Sequence, residues 1–157
     1  MIEIRELTVE DWRDWRELRL QALADAPYAF GSRLADWQGD RDSEERWRGR
    51  LAGNSYDLIA TVDGVPAGMA SGMVDGAGPV ELISMWVAPF ARGQRVADAL
   101  VDEVAKWAAE QRPGELVLEV VESNARAVAF YRRIGFVDRG VVDPSAERVE
   151  RWMARPV

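Results

Sequence analysis

The segment Val80–Leu100, VELISMWVAPFARGQRVADAL, constrains this chain more than any other. Val80–Val87 is rich in Val, Ile, Leu, Met and Trp and alternates poorly, as expected of a strand buried on both faces. Pro89 cannot continue a hydrogen-bonded ladder and closes that strand. Ala88–Arg92 then reads as a tight loop before an amphipathic helix. Strand, loop and helix in this order need a sheet with cover on its faces.

The helix start Arg92-Gly93-Gln94-Arg95-Val96-Ala97 is basic. The first amides of a helix have no acceptor inside it, and together with the helix dipole they suit an anion, above all a phosphate. One Gly and two Arg at a helix start are also ordinary architecture. The chain has neither the GxxxxGK[ST] loop nor the GxGxxG dinucleotide turn.

Two motifs are more specific together than either alone. Arg92-Gly93-Gln94-Arg95-Val96-Ala97 resembles the acyl-CoA signature [Q/R]-x-x-G-x-[G/A] of the GNAT superfamily of N-acetyltransferases, with Arg95 standing in the usual Gly position. Asn124–Phe136, NARAVAFYRRIGF, resembles that family's N-x-x-A-x-x-[F/L]-Y-x-x-x-G-F block. The motifs cover about residues 80 to 137, and the flanking element order extends the likeness to most of the chain.

Composition narrows the chemistry. A chain of 157 residues is long enough for one domain that buries about two-thirds of its unfolded surface. Zero cysteines exclude disulfides, thiolate metal sites and an acyl-cysteine intermediate. Zero histidines remove the usual general base and metal ligand, leaving carboxylates, Tyr, Lys, water or the substrate to move protons. A net charge of −7 argues against broad nucleic-acid binding and is compatible with a cationic or amine-bearing partner. No apolar run approaches the roughly 18 residues of a membrane span. The N-terminus MIEIRELT carries acids where a secretory leader is basic and apolar, which predicts a cytoplasmic protein.

In chain order, Ile2–Leu7 alternates as a strand, and Thr8 with Asp11 forms a capping-box-like pair before a helix over Val9–Ala24. Asp25–Gly39, with Pro27, Gly31 and Gly39, breaks the periodicity and carries the exposed-looking aromatics Tyr28, Phe30 and Trp37. A second helix runs from about Ser43 to Leu51. Tyr56–Val62 and Val65–Met73 form a hairpin through Asp63-Gly64. The helix Gln94–Glu110 has an apolar face of Val96, Ala97, Leu100, Val101, Val104, Trp107 and Ala108, with Asp102 and Lys106 placed for an i,i+4 pair. Glu115–Val121 completes a parallel βαβ unit. Asn124 to about Ile134 is a short helix ended by Gly135, and strands Phe136–Val142 and Arg148–Ala154 finish the chain. The expectation is a single α+β domain over residues 1–157: a mixed, mostly antiparallel sheet of about seven strands with a parallel βαβ core and flanking helices.

The resemblance implies a GNAT-like fold in which two parallel strands splay to admit a pantetheine arm. Trp86 and Val87 would pair with that arm through their backbones, and Gly93, Gln94, Arg95, Val96 and Ala97 would hold the pyrophosphate, with Arg92 and Arg95 screening its charge. A first-turn residue has φ near −60°, so Arg95 is expected to fit there without needing Gly. Asn124, Phe130 and Tyr131 join the cofactor side by analogy, although helix capping alone would explain Asn124. Tyr131 stands where many relatives place a general acid for the CoA thiolate. Glu81, 11 positions before Arg92, stands where some carry a general base, with Glu119 and Glu122 as weaker candidates. Tyr28, Phe30 and Trp37 become candidate acceptor contacts, or else they simply cover the core.

The implied reaction is direct acetyl transfer from acetyl-CoA to an amine, with no metal, no nucleic acid and no membrane; the oligomeric state is open, a homodimer included. A domain that binds acyl-CoA without turnover is the alternative. Retention of Tyr131 favours the enzyme, and the Arg95 departure favours the binder.

Overall fold

The computed structural model describes residues 1–30 and 33–157; Gly31, read above as a break in periodicity, lies outside them. Among the described residues, seven strands and four α-helices follow one another as β1 (Ile2–Glu6), α1 (Trp12–Asp25), α2 (Glu44–Leu51), β2 (Ser55–Val62), β3 (Val65–Met73), β4 (Val80–Val87), α3 (Val96–Gln111), β5 (Glu115–Val121), α4 (Ala125–Arg133), β6 (Val137–Val141) and β7 (Glu150–Pro156). The strands form one sheet in the order β1-β2-β3-β4-β5-β7-β6. Every pairing is antiparallel except β4–β5, the two strands that α3 connects. This is the mixed, mostly antiparallel sheet with a parallel core that the motif order implies.

The sheet separates two cores. On one face α3 packs Val96, Leu100, Val101, Val104 and Ala108 against Leu58, Ala60, Ala70, Val80 and Leu82. Burying each such side chain is worth about 1.5–3 kcal/mol, which makes α3 the main apolar cover. It approaches β3 so closely that a Cβ on Gly72 would stand 2.7 Å from the Trp107 ring. On the other face α1 and α2 pack Trp15, Leu18, Leu23 and Trp47 against Ile59, Met69 and Trp86.

β4 changes sides within its own length. Val80 and Leu82 face the α3 core, yet Trp86, an even number of residues further on, lies in the α1–α2 core. The cause is a bulge: Ser71 pairs with Ile83 and Met69 with Trp86, so three steps on β4 oppose two on β3. Ser84 takes a positive φ of 56° to make that fit. One extra residue inverts every later side chain. Hence the poor alternation of the sequence here.

Local signals account for most boundaries. Thr8 and Asp11 form the expected capping box, though on a short 3-10 turn that precedes α1. Ser43 caps α2 through the Arg46 amide. Gly135, at φ 100°, ends α4, with the Phe136 amide bonded to the Tyr131 carbonyl at 2.9 Å. The Asp102–Lys106 pair is corrected. Lys106 reaches Glu103 at 3.4 Å and Asp102 faces Arg155 at 3.8 Å, because β7 brings in a competing cation from outside the helix. Among the described residues no helix is long and apolar enough to cross a membrane.

Candidate active site

β4 and β5 pair only at Val80–Leu116 and Glu81–Val117. Beyond Glu81 the two strands share no register, and the backbone of the bulged half of β4 faces a gap. A cavity lies on each side of the bulge. Met85, Trp86 and Val87, after it, line a cleft of about 540 Å³. Glu81, Leu82, Ile83 and Ser84, before it and at it, line a pocket of about 350 Å³. Ala29 and Phe30 line both, so the two cavities adjoin at that point.

The cleft gathers most of the residues expected to hold a cofactor. Arg92, Gly93, Arg95, Val96 and Ala97 line it from the start of α3, and Asn124, Phe130 and Tyr131 from α4. Gln94 does not line it; its side-chain amide folds back to the Phe90 carbonyl at 3.1 Å. The first backbone bond of α3 runs from the Ala99 amide to the Arg95 carbonyl. The amides of Val96, Ala97 and Asp98 therefore precede any intrahelical acceptor. Asn124 caps α4, its side-chain oxygen accepting from the Ala127 amide at 3.3 Å.

The sequence expectation for Arg95 is corrected. It is the N-cap of α3, one residue before the helix, in the left-handed region at φ 65° and ψ 22°. Gly93 also has a positive φ, 80°, so the chain makes two left-handed turns before α3 begins at Val96, two residues later than expected. A left-handed residue with a Cβ costs about 1–2 kcal/mol, which is the physical reason a Gly suits this position. The Arg95 side chain is 80% exposed, and its nearest carboxylate is Asp98 at 4.0 Å.

Arg92 is likewise engaged. Its guanidinium meets Asp25 at 2.6 Å and donates from Nε to the Val87 carbonyl at 3.1 Å. Asp25 also accepts from the Trp86 indole at 3.0 Å. These contacts, Trp86 first, hold the Asp25 carboxyl below its usual range. Asp25 thus ties the end of α1 to both β4 and the α3 entrance. Arg133 ties α4 to α3 through Asp98 at 3.1 Å.

Tyr131 is buried, 9% exposed, and packs edge-on against Phe136 at 5.6 Å between ring centres. Burial pushes its phenol well above the ordinary value, so the proton is retained across the neutral range.

The second pocket is aromatic and charged. Trp15, Phe30, Trp37 and Trp47 form its walls, with Trp37 packed on Trp47 at 4.3 Å. Phe30 is buried despite its exposed look in the sequence, whereas Tyr28 is 59% exposed and lines the cleft instead. Glu81, Glu119 and Glu150 supply carboxylates. Burial raises the Glu81 pKa, and Glu119 and Asp75 add to the effect. Burial also raises Glu119, helped by Glu150. Glu122 is held by Arg151 at 2.9 Å and does not line the pocket.

Arg19, Arg50 and Glu150 went unnoticed in the sequence. Arg50 belongs to a buried network: it donates to Asp57 at 2.9 Å and Ser71 at 3.1 Å, and Ser71 donates to Asp57 at 2.6 Å. An Asp directly before Leu58 and Ile59 in an apolar strand was the available signal for that network, since a buried carboxylate requires a partner.

Comparison with known proteins gives the chain's family. Residues 4–136 match the family model "Acetyltransferase (GNAT) family". The chain is 32% identical over 104 residues to a streptothricin acetyltransferase of Streptomyces lavendulae, covering 66% of this chain and 55% of the relative. It is 29% identical over 102 residues to an IAA acetyltransferase of Azospirillum brasilense, covering 64% and 67%. The match thus spans about half the length of the first relative and two-thirds of the second. In fold it is similar to the PaiA N-acetyltransferase of Thermoplasma acidophilum, solved in complex with coenzyme A, with a TM-score of 0.79, 20% identity and coverage of 100% and 99%. With the family model spanning most of the chain, the protein belongs to the GNAT family of acetyltransferases.

Proposed function

We propose that this chain is an acetyl-CoA-dependent N-acetyltransferase that transfers directly from the thioester to an amine in a ternary complex. The observation that carries this reading is the adjacency of two unlike cavities across the β4 bulge. One offers free helix-start amides and a protonated Tyr131; the other offers Glu81.

The pyrophosphate rests on the amides at the start of α3, where the helix dipole favours negative charge. The pantetheine arm runs along Trp86 and Val87 and brings the thioester beside Tyr131. The acceptor enters the pocket as an ammonium. Glu81, directly or through a water, takes one proton, and a raised pKa makes it a better base than an ordinary carboxylate. The amine nitrogen attacks the thioester carbonyl carbon, and backbone amides of β4 stabilise the oxyanion. Collapse breaks the C–S bond; the thiolate takes the Tyr131 proton, the nitrogen's second proton restores the Tyr131 phenol, and Glu81 gives its proton to solvent. The products are an amide, CoA thiol and one proton released to solvent.

The residues 1–157 act here as a single catalytic domain, and Phe30 and Trp37 form the acceptor walls. The experiment is thiol release from acetyl-CoA across a panel of amines, alongside calorimetry with CoA and no added metal. Turnover with one amine class supports the reading. CoA binding without thiol release for any amine would replace it with an acyl-CoA-binding domain, the outcome to which the strained Arg95 points.

A further inference from the structure

The acceptor pocket contains two arginines in opposite circumstances. Arg50 is partnered by Asp57 and Ser71. Arg19, on α1, is 9% exposed, and its Nη1 is buried without a hydrogen-bond partner. Among the described residues no carboxylate lies within 4.0 Å of it. Its guanidinium lies over the Phe30 ring at 4.5 Å, and it lines the pocket.

A buried cation without a counter-ion is strongly disfavoured. The contact with the Phe30 ring offsets only part of that cost. Burial, with the like charge of Arg50 adding to it, lowers the Arg19 pKa to about 10. At neutral pH the group nevertheless stays charged. A guanidinium presents a planar fork of donors suited to a carboxylate. The same pocket holds Glu81 and Glu119, which suit an ammonium. The two signs of charge share one aromatic chamber.

We propose that Arg19 receives a carboxylate of the acceptor, so that the acceptor is a small amino acid-like molecule with an amine facing Glu81 and an acid group on Arg19. This rests on the acetyl-transfer reading above for the reaction, but not for the carboxylate site itself. An apolar or aromatic body between the two groups would fill the space among Trp15, Trp37 and Trp47.

The test uses the full chain with matched acceptors, amino acids and their carboxamides, which share an amine and differ only in the acid. The acid is expected to exceed the amide in kcat/KM by about 10- to 100-fold, as for a charged hydrogen bond. Arg19→Met should bring that ratio close to one. It should leave the Tm unchanged or higher, because an unpaired buried charge has been removed. If Arg19→Met does not fold, Arg19→Lys keeps the charge, loses the fork, and should reduce the ratio. A second readout needs no turnover: calorimetry with phenylacetate against phenylacetamide. Binding of phenylacetate alone, lost in Arg19→Met, supports the site even if no amine is acetylated. Equal turnover of acid and amide, an unchanged ratio in the variant, or phenylacetate binding that ignores the substitution would each overturn it.

Discussion

The cleft and the pocket adjoin at Phe30 but are built in different ways. The cleft takes most of its lining from three short runs, Met85–Val87, Ala91–Asp98 and Asn124–Arg133. The groups we propose for the anion are backbone amides, which any sequence supplies once α3 starts in the right place. The pocket takes one to three residues each from α1, α2, β5, β7 and the stretch between α1 and α2, with Glu81–Ser84 its longest contiguous run. Its chemistry resides in side chains that meet only after folding. On the proposed reading, a cofactor site made from backbone tolerates substitution, whereas an acceptor site made from scattered side chains is free to vary in what it accepts.

Glu81→Gln strikes the pocket. It should lower kcat/KM by about 10²-fold or more and leave CoA affinity unchanged. In the parent, the acidic limb of the pH–rate profile should lie above the usual carboxylate range, and the variant should lose it. Stability should move the opposite way. A carboxyl whose folded pKa is raised binds more protons folded than unfolded, so the native state loses stability as pH rises through that window. Glu81→Gln should therefore raise the Tm at pH 7, with the gain vanishing below the unfolded pKa of about 4.3. A variant with full activity and an unshifted limb would move the base elsewhere, Glu119 first.

Tyr131→Phe strikes the cleft at its buried phenol. A drop in kcat of about 10²-fold, or somewhat less because a thiolate already leaves readily, is expected with an unchanged CoA dissociation constant. Equal turnover, with the chemical step shown to limit the rate, would make Tyr131 a packing residue between Phe130 and Phe136.

Arg95→Gly tests whether the cleft depends on backbone alone. Relief of the left-handed strain should stabilise the fold by about 1 kcal/mol, or roughly 2–4 °C in Tm for a chain of this size. CoA affinity should change little at high salt. Weakening confined to low salt would reveal a long-range attraction by the exposed guanidinium. Arg92→Ala separates two further roles. Because Arg92 is paired with Asp25, the expected consequence is a lower Tm through loss of the α1–β4 tie, with a smaller salt-dependent effect on CoA. A large low-salt loss of affinity with unchanged Tm would instead place its charge on the phosphates.

The sequence alone determined what depends on neighbours along the chain. Caps at Thr8 and Asn124, the Gly135 stop, the Asp63-Gly64 hairpin and the apolar face of α3 are local physics, so they were legible without coordinates. The motif residues of the cleft were legible for the same reason: each run folds as a unit. What the tertiary structure decided lies where distant segments compete or converge. Only strand pairing with β3 revealed that one extra residue at Ser84 turns β4 over and opens it between two cavities. Only the path of the chain into α3 showed Arg95 in a left-handed cap in place of a helical turn. Arg92 was drawn off by Asp25, 67 residues away, and Lys106 by Glu103 once Arg155 took Asp102. The pairing of Arg50 and the solitude of Arg19 were equally invisible, because periodicity places a residue on a face but not beside its counter-ion. An electrostatic partner is set by distance in space, and a one-dimensional pattern carries that distance only within a helix turn or a strand step.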